Sequence, residues 1–97
     1  MEDVKKEVIK KFMIIPGVGK SIANDFWNMG YRAPEELIGK NPRQLYDDFC
    51  KMVGMKVDMC LLYVFRGAVY FVENNEHDPE LLKWWNWKNR KMQNEEA

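Results

Sequence analysis

The hexapeptide Ile15-Pro16-Gly17-Val18-Gly19-Lys20 constrains this chain more than any other feature. Pro16 lacks an amide hydrogen and disfavours helical backbone at the residue before it, so a helix arriving from the N-terminus must stop near Ile15. Such a helix is predicted: Val4, Val8, Ile9 and Phe12 recur at helical spacing, with Lys5, Lys6, Lys10 and Lys11 largely on the other side. A second helix restarts at about Lys20, carries Ile22, Ala23, Phe26 and Trp27 inward, and meets Gly30, a residue suited to ending it. The segment therefore reads as helix, tight turn, helix.

The remainder continues in the same style. Ala33 to Ile38 reads as a short helical piece opened by Pro34, and Asn41-Pro42 is a cap-and-start pair for the next helix. That helix runs through Leu45, Tyr46, Phe49, Met52 and Val53 to Gly54. After the connection from Gly54 to Val57, Asp58 is expected to cap a long helix ending at about Glu73, apolar on most sides and hence central. Gly67 and Ala68 in its middle leave room for a neighbour. The stretch Asn74 to Pro79 is a linker, and Asp78-Pro79 is expected to restart a final helix through Leu81, Leu82, Trp84, Trp85 and Trp87. Residues 88–97 are polar and expected to fray. No strand alternation is present. The expectation is a single domain, 1–97, all-α, a compact bundle of five to six helices. It would contain one clear hairpin and a degenerate copy, in which the GVGK turn is echoed by GMKVD with one glycine lost.

Composition excludes several functions. Fifteen basic residues balance fifteen acidic ones, which argues against a histone-like coat for nucleic acid. Residues 5 to 20 nevertheless hold Lys5, Lys6, Lys10, Lys11 and Lys20 against Glu7, a local excess of +4. Two cysteines, Cys50 and Cys60, cannot staple a small secreted domain, and both are expected to be reduced and buried. The N-terminus is charged from its second residue. The most apolar run, Met59 to Val72, is interrupted by Arg66 and is shorter than the roughly 20 residues of a membrane span. A cytoplasmic protein with no membrane partner is expected. His77 is the sole histidine and lies in the acidic linker, Cys50, Cys60 and His77 offer no close pair at zinc spacing, and Asp47 and Asp48 diverge on a helix. No enzymatic activity, metal site or resident cofactor is expected.

The first turn has chemistry of its own. Amides at the start of the second helix lack helical partners, glycine keeps side chains out of their way, and the helix dipole favours an anion. With the cation of Lys20 and the hydroxyl of Ser21, residues Gly17, Val18, Gly19, Lys20 and Ser21 make a candidate phosphate seat, and Lys56 is the corresponding cation at the second turn. Such contacts position a nucleic-acid backbone without reading bases. The Gly-x-Gly-Lys string is not a mononucleotide P-loop, which needs four residues between its glycines and a preceding strand.

The stretch IIPGVGKSIANDFWNMGY resembles the helix-hairpin-helix motif. Residues 5 to 90 resemble the small bacterial pathogenicity-locus helix-hairpin-helix proteins, through that stretch, the APEELIGKNP connection and the LLYVF and LLKWWNWK blocks. A further likeness is to the C-terminal domain of the competence regulator TfoX. The resemblance implies weak binding of duplex or branched DNA through hairpin amides, with a monovalent cation at times held by hairpin carbonyls. Paired hairpins grip a duplex when both turns reach phosphates, and here the second turn lacks its second glycine. Another reading stands beside it: a protein-interaction or accessory module presenting Trp84, Trp85 and Trp87, tryptophan being enriched at binding hot spots, with the hairpin purely structural. Arg66 either snorkels along the core to an edge or pairs with Asp47 or Asp48.

Overall fold

In the computed structural model, which describes residues 2–96, the chain forms four α-helices and four single 3-10 turns, with no strand among the described residues. α1 spans Glu2–Phe12, α2 Lys20–Asn28, α3 Pro42–Val53 and α4 Cys60–Glu73. The 3-10 turns cover Pro34–Leu37, Pro79–Leu82, Trp84–Trp87 and Gln93–Glu96. α1 packs with α2 and α3 with α4, giving two helix pairs around one core.

The boundaries have local causes. α1 ends at Phe12, and the chain then descends through bonds from the amides of Ile15 and Val18 to the carbonyls of Phe12 and Ile15. Asn41 caps α3 by accepting from the amides of Arg43 and Gln44, at 2.8 and 3.2 Å, and Gly54 closes it at φ +76°. The core is built by the faces that helical spacing assigns. Phe12 stacks on Phe26 with ring centroids 4.8 Å apart, and Phe26 meets Phe65 of α4 at 5.2 Å. Val8, Ile15, Ala23, Leu45, Leu62 and Val69 are buried around them. α4 lies at the centre, with every residue from Val64 to Val69 buried.

The five to six helices expected are corrected to four. The APEEL piece is a single 3-10 turn, and the final helix does not form. Lys83 is extended (φ −90°, ψ 113°) and divides the segment into two short turns. Side chains take over the carbonyls: the Trp87 indole N–H donates to Leu81 at 2.8 Å, and the Asn86 amide to Glu80 at 2.7 Å. A continuous helix would leave Trp84 and Trp85 about 100° apart. Breaking it lets Trp87 enter the notch at Gly67, where a methyl group would meet the indole at 3.4 Å. Gly67 thus does admit a close neighbour, an indole rather than a helix.

The C-terminal stretch, expected to fray, folds back on the bundle. The Arg66 guanidinium is buried (side chain 5% exposed) and takes both carboxylate oxygens of Glu95 (3% exposed) at 2.8 and 3.0 Å. It also donates to the Trp87 carbonyl at 2.8 Å. The partner is therefore Glu95, not Asp47 or Asp48. Neither cysteine is bonded, and the expected burial is not met: Cys50 is only half-buried, and Cys60 is exposed at the start of α4.

Candidate functional site

The first turn presents an open helix start. Gly19 precedes α2 in extended conformation (φ −89°, ψ −171°), and no side chain caps the helix. Among the described residues, the amides of Gly19, Lys20, Ser21 and Ile22 have no protein acceptor. Gly19, Lys20 and Ser21 are exposed, whereas Val18 is buried and anchors the turn in the core.

The two glycines have different reasons for being glycine. Gly17 has φ +87°, where a β-carbon is strained, and Trp84 lies 3.4 Å from where that carbon would stand. Gly19 has an ordinary φ, and a β-carbon there would meet nothing within 4 Å. Nothing inside the domain requires residue 19 to lack a side chain.

The second turn is built alike and finished differently. Gly54 reverses the chain, and the amides of Gly54 and Met55 both return to the Cys50 carbonyl. Tyr46 donates its hydroxyl hydrogen to the Val57 carbonyl, bracing the connection. Asp58 then caps the start of α4, its Oδ1 accepting from the Cys60 amide at 2.8 Å. That bond holds the Asp58 carboxyl below its ordinary value, and the same carboxylate pushes the Cys60 thiol up. Cys60 is therefore the opposite of an activated nucleophile. The Asp58 carboxylate thus lies at the start of α4, beside the turn on which Lys56 is exposed.

Charge gathers at the first turn. Lys6, Lys10 and Lys20 line one groove of about 370 Å³ over Ile9 and Met13, where α1 crosses the start of α2. Lys5 and Asn24 extend this cationic face along the same pair. Lys6 and Lys10 lie outside the turn that the sequence marks as the phosphate seat. Their i, i+4 spacing places them on one helix face, but only the crossing of α1 over α2 brings Lys20 to them.

The three tryptophans do not share a face. Trp87 is 3% exposed, Trp84 is half-buried against Gly17, and Trp85 is 55% exposed. Trp84 and Trp85 meet edge to face with centroids 5.7 Å apart. Among the described residues, no three His, Cys, Asp or Glu side chains gather as a metal set, and no helix is long and apolar enough to cross a membrane.

No curated protein and no solved structure matches this chain. The profile of the pathogenicity-locus family (Cdd1) matches residues 5–93, a span that takes in most of α1, the other three helices, both turns and the tryptophan segment. The chain belongs to the pathogenicity-locus family.

Proposed function

We propose that this domain binds the phosphate backbone of nucleic acid without base-sequence preference, seating one phosphate on the amides of Gly19, Lys20 and Ser21. One observation carries this reading: an uncapped helix start behind a glycine that the fold does not need, beside the lysine groove of α1 and α2. Amide donors and the helix dipole favour the anion, and Lys6, Lys10 and Lys20 supply the cations that displace counterions. The second turn supports a single seat, because Asp58 fills its anion position.

Fluorescence anisotropy of a labelled oligonucleotide, titrated at several salt concentrations, tests it. With three lysines engaged, log K should fall against log salt with a slope of about −2 on single strands. Lys6→Ala and Lys10→Ala should each reduce that slope by about 0.7. Binding insensitive to salt, or no binding at low salt, refutes the proposal.

A further inference from the structure

We propose a base-binding site beside the phosphate seat: the groove between the second turn and Trp85 takes an unpaired nucleobase, making the ligand single-stranded or locally unpaired nucleic acid. This rests on the phosphate-seat reading and extends it.

The groove has a volume of about 370 Å³, and its lining includes Asp58, Cys60, Tyr63, Trp84, Trp85 and Lys88. Its occupant is constrained from three directions. The first is aromatic surface. Trp85 leaves more than half of its surface in water, and because the two indoles meet edge to face, neither hides the other as a stack would. Such a ring is a stacking platform for a planar base, sequence-tolerant because every base has a π face. The second is polarity. Lys88 supplies a cation and Asp58 a carboxylate, whose Oδ1 accepts from the Cys60 amide. One cation, one carboxylate and aromatic walls match a nucleotide, with its anionic phosphate, its N–H donors and its flat ring. The third is continuity. Trp84 forms one wall of this groove and also lies against Gly17 of the first turn. A strand held by the hairpin therefore passes beside the groove.

Pairing state follows from the same residues. A base inside a duplex has both faces stacked and cannot reach Trp85. The opposite strand would also need a second phosphate seat, and Asp58 occupies it. Unpaired nucleotides meet neither obstacle.

Anisotropy titrations with labelled oligodeoxycytidylate and with a blunt duplex of equal length, on the full chain, test the proposal. Wild type should bind the single strand roughly tenfold more tightly than the duplex. Trp85→Ala should weaken single-strand binding by roughly tenfold or more and leave duplex binding unchanged, while Trp85→Phe retains most of the affinity. Circular dichroism checks that both variants keep the fold, as expected for so exposed a residue. If Gly19→Asp abolishes single-strand binding but Trp85→Ala leaves it intact, the base site is refuted and the phosphate seat stands. Tighter binding to the duplex than to the single strand also overturns the base site. If wild type binds neither oligonucleotide, both readings fall.

Discussion

Gly19→Asp should stabilise the fold and destroy the phosphate seat at once, and that opposition makes it the most informative substitution. Residue 19 is already extended, at φ −89° and ψ −171°, as a helix cap must be. The same chain shows what a side chain does in that position. Asn41, at φ −86° and ψ 115°, accepts from two amides of α3, and Asp58 accepts from the Cys60 amide. An aspartate at 19 has open space and idle donors before it. Replacing glycine by aspartate at a cap gains only a few tenths of a kcal/mol, and the charge–dipole attraction adds about 0.3–1 kcal/mol. The net gain is about 1 kcal/mol, a rise in Tm of about 4–8 °C for a chain of this length. For binding, the variant removes a charge-assisted contact worth about 1.5–3 kcal/mol and sets a carboxylate against the incoming phosphate. Affinity should fall by roughly tenfold to a hundredfold. Calorimetry and anisotropy on one preparation read both effects. A stabilised variant that binds as wild type does refutes the seat, and a destabilised one refutes the description of Gly19 as an uncapped helix start.

Other expected outcomes follow from the same geometry. Gly17→Ala, at φ +87°, should cost about 1–2 kcal/mol in urea denaturation, whereas Gly19→Ala should cost little; equal costs would contradict the assigned backbone angles. Glu95→Gln should lose about 3 kcal/mol by leaving Arg66 buried without its counter-charge, and adding Arg66→Met should recover much of the loss. Stability should also fall on acidification. The Asp58 carboxylate is held below its ordinary value by the Cys60 amide, and that of Glu36 by the amides of Arg32 and Ala33. A depressed folded-state value means the contribution is full above the ordinary carboxylate range, about pH 4, and is lost as pH falls through and below it. Asp25, raised by burial, opposes this trend. Denaturation midpoints across that range should show a shallower acid-side decline in Asp58→Asn and Glu36→Gln than in wild type.

Much of the fold was legible because its signals are local. The proline after α1, the Asn41-Pro42 cap and the spacing of Phe12 and Phe26 each act within a turn or two of helix. The final segment was not legible. Periodicity counts apolar residues, but it does not register that an indole fits the notch at Gly67, or that the Trp87 N–H can take the Leu81 carbonyl in place of a helical amide. Arg66 and Glu95 are 29 residues apart, beyond any helical spacing rule. At the candidate site the residue types of the turn were visible, yet Gly17 and Gly19 look alike in sequence; only backbone angle and surroundings separate a glycine the chain needs from one it does not. Asp58 was expected as a cap. That the start of α4 is capped while that of α2 is not became evident only when the two turns could be compared atom by atom.

The central claim concerns free donors at the start of α2, and amide chemical shifts report on them directly. In a nitrogen–proton correlation spectrum titrated with oligodeoxycytidylate, the amides of Gly19, Lys20 and Ser21 should shift progressively and saturate together, while that of Arg43, engaged by Asn41, stays within the background. Shifts confined to other parts of the chain, or Arg43 moving as far as Ser21, would contradict the account.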